Sequence, residues 1–253
     1  MRVLVTRPAL QAADWVARLR DDGIDAVALP LIRIGPAADA AAVQGAWSAL
    51  PAQRLVVFVS PNAAEQFMAA RAPGSAWPAG VQAGSIGPGT TQALRRSGVP
   101  GEQIVEPAAE ATQFDSEALW KQLQGSDWRG AQVLIVRGDG GREWLADTLR
   151  EHGAQVALVA AYRRTAPRLD AAGQALLRAA LDAPHRHLWF FSSSEAIANL
   201  AVLAGDAADW SQARALATHP RIAARAQHLG LAQVTLTRPT LAAVSACIQS
   251  MPP

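Results

Sequence analysis

Short apolar runs alternate with stretches of helical periodicity along nearly the whole chain. Residues 3–5, 24–29, 55–59, 83–86, 133–136, 156–160, 188–191, 214–217 and 233–236 read as strands. Ala12, Trp15, Val16 and Leu19 mark one face of an amphipathic helix that stops near Gly23. Further helices are expected over 61–70, 89–97, 115–123, 142–151, 171–182, 195–203, 220–229 and 240–249. Several of these strands are apolar at every position rather than at alternate ones. That pattern belongs to strands covered on both faces, and helices between strands give parallel pairing. The chain is therefore expected to be an α/β protein with parallel sheets.

The pattern repeats. Val3-Leu4-Val5-Thr6-Arg7, with Leu19-Arg20 and Gly23 behind it, recurs as Val133-Leu134-Ile135-Val136-Arg137, Leu149-Arg150 and Gly153, an offset of 130 (Val3 to Val133). Phe58-Val59-Ser60-Pro61-Asn62-Ala63 recurs as Phe191-Ser192-Ser193-Ser194-Glu195-Ala196, and Pro88 with Gly98-Val99 recurs as Pro220 with Gly230-Leu231. Three blocks in one order at a nearly constant offset imply duplication, and a period this long means two similar lobes rather than a solenoid. Two extended, proline-bearing segments follow the second strand of each repeat: Ile32-Arg33-Ile34-Gly35-Pro36 and Tyr162-Arg163-Arg164-Thr165-Ala166-Pro167-Arg168. If the chain crosses between lobes at both, residues 36–165 form one lobe and residues 1–34 with 168–253 form the other. Periodicity places the linkers without showing the exchange.

Composition narrows the function. With 253 residues, half of them hydrophobic and 17% charged, the chain can bury a core and is not a disordered tail. A net charge of +2 argues against bulk attraction to nucleic acid or membrane. All but one of the 23 basic residues are arginine. The exception, Lys121, follows Trp120 and reads as a solvated helix position, so no phosphate loop of the G-x-x-x-x-G-K type exists. One cysteine, Cys247, excludes an internal disulfide framework and a cysteine-held metal cluster. The five histidines do not cluster, and no metal site follows. His185 and His187 read as surface residues, His152 and His228 as helix ends, and His219 as the one histidine at a strand end. Neither a signal-peptide core nor a membrane span is visible, so a cytoplasmic, soluble protein is expected.

Ligands of parallel α/β sheets sit beyond the carboxyl ends of the strands. Here those ends read Thr6-Arg7-Pro8, Ser60-Pro61-Asn62, Gly87-Pro88-Gly89-Thr90-Thr91, Arg137-Gly138-Asp139-Gly140-Gly141-Arg142, Ser192-Ser193-Ser194 and Thr218-His219-Pro220-Arg221. Most open a helix, where such residues cap the first turn and present N–H groups suited to an anion. Gly87-Pro88-Gly89 and Gly138-Asp139-Gly140 lack the third glycine of a dinucleotide loop, and no acidic residue is expected at a strand end about 20 residues beyond Gly87, where a ribose needs one. No G-x-S-x-G elbow is present. Tyr162, the only tyrosine, stands at the second linker beside Arg163 and Arg164. A phenol there can donate a proton to a leaving group, or pack at a lobe junction with its hydroxyl in water.

Taken in order, Val-Leu-Val-Thr-Arg-Pro at the start, Phe58-Val59-Ser60-Pro61-Asn62-Ala63, Ile86-Gly87-Pro88-Gly89-Thr90, the 133–142 segment, Tyr162-Arg163 and Phe191-Ser192-Ser193 resemble the uroporphyrinogen-III synthase family over residues 3 to about 231. The resemblance implies two flavodoxin-like lobes joined by two extended linkers, with the first β-α-β unit belonging to the C-terminal lobe. It implies a cofactor-independent, cyclising hydro-lyase that closes the linear tetrapyrrole hydroxymethylbilane to uroporphyrinogen III with inversion of ring D. Its substrate has eight carboxylates, and its accepted route passes through an azafulvene and a spiro intermediate. A monomer is implied, with transient handover from hydroxymethylbilane synthase. By position in the matching motifs, Tyr162 and then Thr90 are the expected proton donors. Arg7, Ser60, Asn62, Gly87, Arg137, Gly138, Ser193 and His219 are expected to bind substrate. One block departs from the family: where many members repeat Gly-Pro-Thr-Thr, this chain has His219-Pro220-Arg221-Ile222. That departure keeps two alternatives in view, an inactive synthase-like subunit and a non-catalytic two-lobed cytosolic anion- or solute-binding protein.

Overall fold

The computed structural model describes residues 1–251, and the chain divides into two compact units, Met1–Arg33 with Thr165–Pro253 and Ile34–Arg164. In the first unit, β1 (Arg2–Val5), α1 (Ala9–Asp21) and β2 (Ala26–Ala28) come from the N-terminal segment. The remainder is α7 (Ala171–Asp182), β9 (His187–Phe191), α8 (Ser194–Ala204), β10 (Arg214–Ala217), α9 (Pro220–His228), β11 (Gln233–Leu236) and α10 (Leu241–Gln249). The second unit holds β3 (Arg33–Pro36, whose first residue belongs to the first unit), α2 (Ala40–Ser48), β4 (Leu55–Phe58), α3 (Pro61–Ala69), β5 (Gln82–Ser85), α4 (Pro88–Arg96), β6 (Ile104–Val105), α5 (Ser116–Leu123), β7 (Gln132–Gly138), α6 (Trp144–Glu151) and β8 (Gln155–Thr165, whose last residue belongs to the first unit).

The sheets run β11-β10-β9-β1-β2 and β3-β8-β7-β4-β5-β6. Every pairing in the first is parallel, as are those among β4 to β8 in the second. Matching β7 and β8 to β1 and β2, as the repeat requires, and β4, β5 and β6 to β9, β10 and β11, gives both sheets the order 2-1-3-4-5, with β3 added at the edge of the second. That is the flavodoxin-like order, and the second unit is the same sheet entered at its third strand.

Central strands explain the apolar runs. All four residues of β4 and all five of β9 are buried. Alternate side chains of a strand point to opposite faces. Accordingly Val56 and Phe58 join a core with Phe67, Trp77 and Leu94, while Leu55 and Val57 join another with Leu119, Trp128 and Leu149. In the first unit Val3, Val5, Leu188 and Phe190 pack with Val16 and Leu19 of α1 and Val244 of α10.

Three elements escaped the pattern. Helix α2 fully buries only Val43, and its short stripe of Val43, Ala46 and Trp47 did not stand out in an alanine-rich run; its start is fixed by Asp39, which accepts the Ala42 N–H at 2.9 Å. Strand β6 has two residues. The two extended segments expected at the lobe crossings carry strand pairing that the pattern did not show: β3 pairs with β8, and β8 runs for 11 residues through Tyr162. His187 is a further correction, since it is buried rather than on the surface, with its Nδ1 3.0 Å from the Ala183 carbonyl.

Candidate functional site

In the second unit the end of β8 is irregular, and the irregularity sets the site. Arg137 pairs with Ala160 and Gly138 with Tyr162, so Ala161 is an extra residue on β8. A bulge of this kind re-aims the following side chain. Strict alternation would send Ala161 and Tyr162 to opposite faces. Both are buried in the same core, Ala161 at 4% and Tyr162 at 3% exposure.

The Tyr162 ring then lies on Gly138. A Cβ built on Gly138 would stand 3.0 Å from Tyr162 Cζ and 3.2 Å from its hydroxyl oxygen, tighter than nine in ten real Cβ contacts. The absent side chain is what admits the ring. Tyr162 Oη is 3.1 Å from Ser60 Oγ. Ser60 is the N-cap of α3, and its Oγ also accepts the Ala63 N–H at 3.0 Å. The ring is thus packed in the core of its own unit, with its hydroxyl against Ser60. Asn62 sits half-buried in the first turn of the same helix.

Beside this group, Arg137 is turned onto its own loop. Its guanidinium donates to Glu143 Oε1 at 3.1 Å and to the Gly141 carbonyl at 2.9 Å, and its side chain is 13% exposed. Arg164 donates to the Gly140 carbonyl at 3.4 Å and its N–H to Asp139 Oδ1 at 3.4 Å. Arg142 pairs with Glu117 at 2.6 Å, and the hydrogen bond to that carboxylate raises the Arg142 pKa further. The loop after β7 is therefore pinned by arginines at both ends.

The Gly87 block packs against α3: a Cβ on Gly89 would lie 3.3 Å from Pro61 Cγ, and one on Gly87 only 2.9 Å from Phe114 Cβ. Gly87 is extended and caps α4 with no side chain of its own. Thr90 is buried at 2% exposure in the first turn. Its neighbour Thr91 donates to Glu106 Oε2 at 2.6 Å and lies 2.9 Å from Ser85 Oγ, and Glu106 also pairs with Arg95 at 3.2 Å. Glu106 corrects the expectation that no acid ends a strand about 20 residues beyond Gly87, because it follows β6 directly. Its carboxylate faces Thr91 and Arg95, so it is committed to holding α4. The two-residue strand before it was too short to show a pattern.

In the first unit the expected residues also stand at strand carboxyl ends but do not gather around a phenol. Thr6 donates its hydroxyl to the Phe190 carbonyl at 2.7 Å, tying β1 to β9, and the Arg7 guanidinium lies 4.9 Å from the Trp15 ring centre. Ser193 caps α8 by accepting the Glu195 N–H at 3.2 Å. His219 caps α9, its Nδ1 accepting the Arg221 N–H at 3.1 Å. That bond needs Nδ1 without a proton. At the other ends of these strands Arg2, Asp25, Arg186, His187 and Arg214 line a recess of about 750 Å³ that no sequence signal indicated. Among the described residues, no group of three or more His, Cys, Asp or Glu is placed to hold a metal ion, and no helix is long and apolar enough to cross a membrane.

The comparisons with known proteins agree with one another. The family model "Uroporphyrinogen-III synthase HemD" matches residues 13–246. The uroporphyrinogen-III synthase of Escherichia coli K12 is 33% identical over 184 residues, 70% of this chain and 70% of that protein. That of Synechococcus elongatus is 29% identical over 218 residues, 83% and 77% of the two chains. Among solved structures, a mutant uroporphyrinogen III synthase of Thermus thermophilus superposes with a TM-score of 0.59 at 17% identity, covering 98% of this chain and 96% of that one. The Helicobacter pylori uroporphyrinogen-III synthetase gives 0.59 at 14%, covering 99% of each. At those identities the structures speak for the fold alone. The sequence match spans almost the whole chain, with the strand ends from Ser60 to His219 inside it, and on that ground this chain belongs to the uroporphyrinogen-III synthase family.

Proposed function

We propose that this protein closes hydroxymethylbilane to uroporphyrinogen III with inversion of ring D, and that the Tyr162 end of the second unit handles the leaving hydroxyl. The observation that carries the activity is the family match over residues 13–246. The site assignment is supported by Tyr162, Ser60 and Gly138 meeting at the carboxyl ends of β8, β4 and β7.

The chemistry asks little of a nucleophile. Loss of the terminal hydroxyl, protonated as it leaves as water, gives an azafulvene. Attack by the substituted position of ring D forms the spiro intermediate, which fragments and recloses with ring D inverted. The unaided chain also closes, to the type I isomer, so the protein's task is geometric control. Eight carboxylates demand donors held in fixed positions. In the second unit Arg137 and the N–H groups at the starts of α3 and α4 can supply them by charge-assisted hydrogen bonding, and in the first unit Arg7 and the starts of α8 and α9 offer the same chemistry. Tyr162 is the proton donor of this reading and Thr90 the second candidate; Asn62 and Gly87 in the second unit, and Ser193 and His219 in the first, are its further candidate substrate contacts. The reading takes the two units as the enzyme's lobes and the protein as a cytoplasmic monomer that receives its substrate from hydroxymethylbilane synthase.

The test is isomer composition. Hydroxymethylbilane is generated in situ by its synthase, this protein is added, and the oxidised porphyrins are separated into types I and III. Type III in proportion to added protein is the expected result. Type I alone, at the rate seen without it, would replace the enzyme by an inactive synthase-like subunit or an anion-binding protein.

A further inference from the structure

Ser60 has more to do at this site than cap a helix. A serine hydroxyl has one proton to give and two lone pairs to receive with. One lone pair takes the Ala63 N–H at 3.0 Å, in the first turn of α3, and Tyr162 Oη lies 3.1 Å from the same oxygen. The N-terminus of a nine-residue helix carries partial positive charge, and a hydroxyl that accepts from such an N–H becomes a stronger donor. Gly138 completes the geometry. Its bare Cα lets the ring approach until a Cβ there would be 3.2 Å from the phenol oxygen, which leaves the hydroxyl little freedom to turn away.

From this arrangement we infer that Ser60 is a positioning residue that donates its hydroxyl proton to Tyr162 Oη, so that the phenol keeps its own proton for a second acceptor. The chain of donors runs from the Ala63 N–H to Ser60 Oγ and from Ser60 Oγ–H to Tyr162 Oη. The inference rests on the proposed role of Tyr162 and deepens it: the polarised helix end is coupled through Ser60 to the proton that leaves with the substrate hydroxyl. The opposite polarity, Tyr162 donating to Ser60, would consume that proton within the protein.

Tyr162 is the only tyrosine in the chain, so its vibrational signature can be read without interference. The tyrosine doublet of the Raman spectrum distinguishes a phenol oxygen that accepts a hydrogen bond from one that only donates. The full-length protein is expected to show the accepting signature. Ser60→Ala and Ser60→Gly are expected to lose it and Ser60→Thr to restore it, Gly being the variant that keeps a good helix cap without a hydroxyl. In the isomer assay kcat for type III is expected to fall about tenfold in the two variants lacking the hydroxyl, with KM little changed. A donating-only signature in the unsubstituted protein overturns the inference. So does a rise in KM alone, which would make Ser60 a substrate contact, or a signature indifferent to Ser60→Gly. Because the spectrum needs no turnover, a protein that makes no type III porphyrin fails the functional reading without deciding the polarity of this bond.

Discussion

The two units have one strand order and two different kinds of strand end. At the repeat position of Tyr162 the first unit has Ile32, buried and apolar. Its second strand, β2, is three residues long, whereas β8 extends through 11. Where the second unit has Gly87, Thr90 and Thr91, the first has His219, Ile222 and Ala223. The buried Thr91 hydroxyl and its Glu106 partner have no counterpart, since Ile222 and Ala223 are buried as apolar residues. His219 performs the capping task of that turn with a ring nitrogen, where Gly87 has no side chain. Duplication kept what the fold needs, which is an apolar strand followed by a capped helix. It left the polar equipment free to diverge, and that equipment is concentrated in the second unit. The His219 departure is thereby explained as a cap and does not by itself remove the chemistry.

The sharpest way to break this comparison is Tyr162→Phe. If the phenol carries the chemistry that Ile32 cannot, type III formation falls at least several-fold and toward about 10² with the fold retained, as a general acid is worth. Unchanged turnover in a folded variant would make the two units equivalent. Gly138→Ala comes next. Its Cβ must displace the Tyr162 ring from 3.0 Å; overpacking of this kind costs about 1–3 kcal/mol in denaturant unfolding, and turnover falls with it. Thr91→Val makes the second unit resemble the first at that helix. Loss of the bonds to Ser85 and Glu106 is expected to cost about 1–2 kcal/mol, read as a lower unfolding midpoint.

The smallest effect concerns a feature the units share. Each has an Asp-Trp turn ahead of a strand, with Trp128 and Trp210 buried. Hydrogen bonds from Arg129 hold the Asp127 carboxyl at about 2, against 3.8 for an ordinary aspartate. The Ser211 N–H lowers that of Asp209. A carboxyl lowered in the folded state adds stability above its unfolded pKa and loses it as pH falls through the folded one. The Asp127 contribution is thus complete above about 3.8 and fades toward 2. Asp127→Asn should flatten the acid limb of the stability profile more than Asp209→Asn; equal slopes would mean the side chain of Arg129 adds nothing.

The sequence by itself determined the α/β class, most strands and helices, and the residues at the strand carboxyl ends. It could do so because burial on both faces writes unbroken apolar runs at β4 and β9, and because caps such as Ser60 and Ser193 act within three residues of their own helix. It also supplied the ordered motifs by which the family is known. Only the tertiary structure decided that β3 and the end of β8 are paired strands, that Glu106 holds Thr91, and that Tyr162 meets Ser60 across 102 residues of chain. Those contacts depend on register. One extra residue, Ala161, reverses the face on which Tyr162 falls, and the glycine at 138 lets the ring sit where a Cβ would crowd it. A one-residue shift in pairing leaves no trace in hydrophobic periodicity, because it is defined by the partner strand and not by the strand itself.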